Sequence, residues 1–327
     1  MKQTGRRPSA GKKRLDAQMT RKAKRNAFVL AVLIPFAAWM LVYMLIPLVS
    51  VIFYSFTNAK MAYDDFRFVG LYQFQKMFSN TTARISIVNS VKAAVIIMPI
   101  SLAMSLLTAA GLNALSDRFR NLYTFVYFLP NIMSMTAVCL VWRWLYHNQY
   151  GIFNAILQFF GLPKQQFLQS SSQVMLCLCI IHIWSLFGYY AVILLAAMRG
   201  IDKSLYEAAD IAGANAVQKF WYITLPMLKN TLLYVCIMLT TSAFMFFTPV
   251  KVLTNGTPGT SSMVMLLYIY QQGIWQGDVG YSSAMSLVLM AIILFFSLIQ
   301  WALTKERKAK EYKPKQSKQS KKEAAQA

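Results

Sequence analysis

The stretch LYEAADIAGANAVQKFWYITLPML, Leu205 to Leu228, interrupts long apolar runs with Glu207, Asp210 and Lys219 and turns at Gly213. Asp202 or Ser204 can cap a first short helix, with Glu207 in its opening turn where the positive end of the dipole favours an acid. Leu205, Ala208, Ala209 and Ala212 recur at helical spacing, and alanines permit close approach by another surface. Gly213 allows a sharp turn. A second helix then places Val217, Phe220, Trp221 and Ile223 on roughly one face, and Pro226 marks the point where it gives way to the next apolar run. Such a pair is either an interfacial helix held by Phe220, Trp221 and Tyr222 or a docking element for a soluble partner.

The surrounding composition fixes the setting. Of 327 residues, 57% are hydrophobic, yet the net charge is +22. The positive charge collects at both ends and in short connecting segments, the pattern of a membrane protein rather than a nucleic-acid binder. Since a bilayer core of about 30 Å needs roughly 20 apolar residues per helix, six runs qualify. They are Phe28 to Phe56, about Ile85 to Ala114, Leu122 to Tyr146, Val174 to Met198, about Thr231 to Val250 and Ser283 to Leu303. Met263 to Tyr270 is too short to span and reads as an external or re-entrant helix. The first run is too long and too late for a cleaved signal peptide.

With six spans, one side receives the N-terminal arm, Arg118, Arg120, Arg199, Lys203, Lys219, Lys229 and nine cations from Lys305 to Lys322. The other receives Lys60, Arg67, Lys76, Arg84, Lys164 and Lys251, partly offset by Asp64, Asp65 and Asp278. The positive-inside rule therefore places both termini in the cytoplasm. The expected fold is an all-α membrane protein of six transmembrane helices. A basic arm (1–26) and tail (305–327) flank the membrane domain (27–304), and the 202–228 hairpin is a cytoplasmic loop between spans four and five.

Several function classes are disfavoured. Only His147 and His182 are available as imidazole ligands, and the four cysteines lie in apolar runs without metal-ligand spacing, so neither metal nor cofactor is expected. The glycines at 5 and 11 enclose one residue too many for a phosphate loop, and Lys13 stands where Ser or Thr is required. No acid lies in any of the six runs, which speaks against a membrane hydrolase and against a proton- or sodium-coupled carrier.

The hairpin resembles the coupling loop of permease subunits in bacterial ATP-binding-cassette importers. Glu207-Ala208-Ala209, Gly213, Ala214 and Ile223-Thr224-Leu225-Pro226 carry the likeness. Phe68-Val69-Gly70-Leu71, the Leu253–Gly259 stretch, Leu267–Gln272 and Gly280–Ala284 extend it to the carbohydrate branch, of the maltose and glycerol-3-phosphate permease type. The resemblance implies a bacterial cytoplasmic-membrane subunit for a sugar or sugar derivative. It also implies separate ATP-binding subunits docked on the loop, a second, different permease chain and an external solute-binding protein. Glycerol-3-phosphate or a polyamine is the alternative solute class, and a stand-alone carrier or channel the remaining one. Membrane lipid is the expected partner of the basic arms, with no role for nucleic acid.

Aromatic faces stack on sugar rings while hydroxyls and amides take the edges. Trp184 and Tyr189 in span four, and Thr241, Ser242 and Phe246 in span five, are the candidates for a substrate path. Tyr189 matches a sugar-contacting tyrosine of the maltose relative by its distance from Glu207. That relative's span-five asparagines fall on Ala243, Met245 and Phe246, a departure from its pattern. Lys92 and Arg143 sit near the external boundary within reach of the interface, whereas His182 lies deeper and can line a path or bond a neighbouring helix.

Overall fold

A computed structural model describes residues 28–62 and 66–305. The expected arm 1–26 and the tail beyond Lys305 lie outside the described residues. Those described are helical, apart from connecting segments and isolated bridging such as the antiparallel pair Thr57 and Phe68.

The chain runs through α1 (Phe28–Ser55), short α2 (Tyr72–Ser79) and long α3 (Thr81–Ala114). Asn80 starts α3 by accepting the Ala83 N–H at 3.0 Å, ahead of the point where the apolar run is expected to begin. In α1 the turn before Pro47 widens, so that the Ile46 N–H bonds to the Leu41 carbonyl. Proline lacks an N–H and crowds the preceding turn, and widening accommodates it without a break.

The third span differs from the straight helix expected over Leu122 to Tyr146. It is two helices, α4 (Asp117–Ile132) and α5 (Met135–Leu145), bent by 95°. Pro130 removes a donor from the last turn of α4, and Met133 and Ser134 are extended. Among the described residues, five helical stretches are thus long and apolar enough to cross a membrane, and the bent pair adds a sixth if it counts as one span.

Beyond α6 (Ile152–Phe159) come α7 (Val174–Arg199) and the hairpin helices α8 (Lys203–Ile211) and α9 (216–227). The fifth expected span is also interrupted, into α10 (Lys229–Phe244) and α11 (Thr248–Leu253). Pro249 cannot donate to the Met245 carbonyl, and the helix is interrupted from Met245 to Phe247. Finally α12 (Met265–Tyr270), extended by the widened turn Gln271–Trp275, leads into α13 (Val279–Lys305).

The centre of the bundle is α3 against α7. On α3 the buried line Ser86, Ser90, Ala94, Ile97, Ser101, Ser105 and Ala109 is mostly small, which lets backbones approach where lipid offers no hydrophobic drive to associate. Ser105 bonds the Phe187 carbonyl of α7 at 2.9 Å. At Gly188 the approach between α7 and α4 is closest: an added Cβ would lie 1.8 Å from the Tyr127 carbonyl oxygen. The short apolar segment expected to be external or re-entrant becomes α12, with Met265 and Leu267 fully buried. Its irregular approach is satisfied by α3. Asn89 donates to the carbonyls of Thr260, Ser261 and Met263, and Ser90 accepts the Met265 N–H.

Candidate functional site

The 202–228 hairpin forms as local chemistry requires. The Asp202 carboxylate accepts the Ser204 N–H at 3.0 Å. That backbone bond, with a second from the Ser204 side chain, holds its pKa below the ordinary value. A depressed folded-state pKa means that this cap stabilises above the unfolded value and is lost as the pH falls through the folded one. Asp202, rather than Glu207, occupies the dipole-favoured position, because Glu207 lies beyond the first turn of α8.

The end of α8 closes with Ala214 N–H on the Ala209 carbonyl and Gly213 N–H on that of Asp210, with Gly213 at φ +74°. Asn215 and Gln218 then form a reciprocal capping box that starts α9. A widened turn precedes Pro226, the Leu225 N–H bonding the Phe220 carbonyl. The helix runs on through Met227 and yields at the buried Leu228, just past the proline expected to end it.

Two contacts join the helices, and neither is legible in the sequence. The Tyr206 and Thr224 hydroxyl oxygens lie 2.8 Å apart, and Lys219 pairs with Asp210. Only the folded hairpin brings positions 18 residues apart together.

The faces differ from the expected ones. Tyr206, Phe220 and Ile223 pack inward on a core of Ala109, Leu112, Leu194, Met198, Leu228 and Leu239, from α3, α7, α10 and the turn before α10. Val217 and Trp221, expected beside Phe220 and Ile223, instead point outward, since helical spacing turns that pair away from Phe220 and Ile223. Glu207, Ala208, Gly213 and Pro226 are exposed or half-exposed, and Ala209, Ala214, Ile223 and Leu225 lie beside them on the same hairpin. Ile211 is 90% and Tyr222 80% exposed. The hairpin thus has one face built into the bundle and an apolar outer face left open.

The path candidates fall in three places. Trp184 joins an aromatic cluster with Trp142, ring centroids 5.7 Å apart. Tyr189 lies against Phe128 and Tyr190, in the cluster that also seats the hairpin. Between α7 and α10, Ser242 lies 3.3 Å from His182 Nε2 and the buried Phe246 ring is 4.9 Å from the imidazole. His182 Nδ1 is buried without a partner. Thr241 turns back to its own helix, donating to the Ile237 carbonyl. Of the five, only Ser242 and Phe246 are brought together, around His182. Arg143 is tied to the Val252 carbonyl, connecting α5 to α11. Among the described residues no group of three or more His, Cys, Asp or Glu could hold a metal ion.

Long apolar helices around a centre of small residues, with a structured hairpin set into one end, define a helical membrane component. Residues 101–308 match the family described as "Binding-protein-dependent transport system inner membrane component", and the chain belongs to that family. It is 32% identical over 272 residues to the arabinooligosaccharides transport system permease protein AraP of Halalkalibacterium halodurans, covering 83% of this chain and 85% of that protein. Over 288 residues it is 29% identical to the diacetylchitobiose uptake system permease protein NgcF of Streptomyces coelicolor, covering 84% and 81%. A chain in the crystal structure of a bacterial alginate ABC transporter, in complex with alginate pentasaccharide-bound periplasmic protein, superposes with a TM-score of 0.77. That match has 21% identity and covers 88% of this chain and 96% of that one, a likeness of fold.

Proposed function

We propose that this chain is the membrane subunit of an ATP-driven importer for a sugar or sugar derivative, working by alternating access with six spans and both termini in the cytoplasm. The observation that carries the reading is the two-faced hairpin. A subunit docked on Glu207, Ala208, Gly213 and Ile211 would push on Tyr206, Phe220 and Ile223, and through them on α3, α7 and α10. The arabinooligosaccharide and diacetylchitobiose relatives support a saccharide as solute. ATP hydrolysis belongs to separate cytoplasmic subunits, one docked on residues 207–226. An external binding protein delivers the solute, and a second, different permease chain completes the path. Ser242 and Phe246 beside His182 are the favoured inner contacts, with Trp184 nearer the outside and Tyr189 nearer the cytoplasm. The membrane domain is 27–304, and the basic arm and tail hold anionic lipid.

The test is purification of the complex through a tag on this chain, followed by ATPase assays with the candidate binding protein and a panel of oligosaccharides, monosaccharides and glycerol phosphodiesters. Copurifying ATPase subunits stimulated by one solute support the importer and identify its cargo. If no ATPase copurifies and crosslinks from 205–228 reach only lipid, the hairpin is an interfacial helix and the proposal fails.

A further inference from the structure

Beyond the end of α5, a cavity of about 520 Å³ opens between two segments distant in sequence. One wall is the stretch from Arg143 to Gln169, the other the stretch after α11 that carries Thr254 and Thr257. Its size suits one or two sugar rings rather than a lone ion.

Both walls are braced from behind. Asn154, 1% exposed, donates to the carbonyls of Asn148 and Gln165 and accepts the Gln165 N–H, each at 2.9 Å. Gln173 accepts the Phe167 N–H, and Asn148 donates to the Gln169 side-chain oxygen. On the facing wall Thr254 donates to the Val250 carbonyl and meets Ser262, which bonds the Thr257 carbonyl at 2.7 Å. Arg143 joins the walls through Val252. The floor is Tyr146, whose ring lies 5.1 to 5.4 Å from those of Phe153, Phe167 and Trp142. A cavity whose polar side chains are held this way is preorganised.

The unspent groups are mostly donors. Arg143 uses one N–H of its fork on Val252, leaving the rest. His147 Nδ1 accepts the Gln149 and Tyr150 N–H groups at 3.2 Å, so its neutral ring carries the proton on Nε2. Gln169 gives its oxygen to Asn148 and keeps its NH₂. Among the described residues, no carboxylate lines the cavity. A concave site rich in N–H groups, with one guanidinium and no acid, matches a ligand that brings its own anionic acceptors.

We propose that this cavity is an external saccharide subsite for a sugar bearing a carboxylate, with Arg143 on the carboxylate and His147 and Gln169 on neighbouring oxygens. The external placement rests on the importer reading above. The subsite stands apart from the His182, Ser242 and Phe246 group and would receive solute before it enters the membrane.

The experiment is saturation-transfer NMR on the whole purified complex in nanodiscs, without binding protein, titrated with digalacturonate or with neutral digalactose. Digalacturonate is expected to bind more tightly than digalactose. Arg143→Gln should weaken its binding by about tenfold or more, as loss of a charge-assisted bond implies, with a smaller loss for Gln169→Ala and partial retention in Arg143→Lys. Wild-type-like binding by folded Arg143→Gln and Gln169→Ala, or preference for digalactose, would overturn the subsite. ATP turnover stimulated by a neutral sugar, with no digalacturonate binding, would reject the subsite and leave the importer standing. Arg143-dependent binding to a chain that copurifies with no ATPase would do the reverse.

Discussion

Tyr206 and Thr224 meet hydroxyl to hydroxyl at 2.8 Å across the hairpin, on the side facing the bundle, with Thr224 6% exposed. The pair clamps α8 to α9 where Tyr206, Phe220 and Ile223 press on the core. Tyr206→Phe keeps the ring and removes the bond, at a cost of about 1 kcal/mol. Thr224→Val leaves the Tyr206 hydroxyl unpaired. We predict that either variant raises amide exchange in residues 203–211 and lowers solute moved per ATP. The double variant should lose less than the sum, and full additivity would show that the two hydroxyls act independently.

Gly213 tests the turn without a steric complication. Its φ is +74°, and nothing lies within 4 Å of the point a Cβ would occupy, so substitution is penalised by the backbone alone. Gly213→Val should cost about 1–2 kcal/mol of hairpin stability and Gly213→Asn distinctly less. Gly213→Pro, which cannot adopt positive φ, should uncouple ATP hydrolysis from uptake. Glu207→Lys reverses an exposed charge and should do the same with the hairpin intact. Uptake at wild-type rates in both uncoupling variants, at matched membrane levels, would refute a coupling role.

The close crossing at Gly188 predicts sensitivity of another kind. Gly188→Ala forces α4 and α7 apart and should destabilise by about 1–3 kcal/mol or more, read as a lowered Tm. Gly111, in α3, has open space around it and supplies the control. Gly111→Ala should be neutral or stabilising by up to about 1 kcal/mol.

At the opposite end, Lys76 reaches Asp278 at 2.9 Å and lies 4.4 Å from the Tyr281 ring centroid, pinning α2 to the start of α13. Lys76 is 39% and Asp278 16% exposed, so solvent screens part of the attraction. A thermal-unfolding cycle of Lys76→Met and Asp278→Asn should give a coupling of up to about 1 kcal/mol that shrinks with added salt. A coupling insensitive to salt would assign the contact to packing on Tyr281 instead.

Much of the architecture is written locally. Apolar length marks the spans, and the hairpin is specified by its own residues: Asp202 caps, Gly213 turns, and Asn215 with Gln218 restarts the helix. Each depends on neighbours within one or two turns, which is why the sequence is sufficient for it. The corner after Ile132 is harder to see. Pro130 is visible, but prolines sit inside membrane helices without breaking them, as Pro99 does in α3. Hydropathy sums side chains regardless of chain direction, so an apolar corner reads as a straight span.

What the sequence by itself determined, then, is helical class, the approximate spans, the charge asymmetry and the hairpin with its turn. Tertiary structure alone decided the 95° bend, the break before Pro249, the inward turn of Phe220 and Ile223 and the outward turn of Trp221. It also decided that Arg143, His147 and Gln169 face Thr254 and Thr257 across one cavity. The physical reason is the same throughout: caps and turns are satisfied by adjacent backbone, whereas packing faces and cavities depend on partners far along the chain.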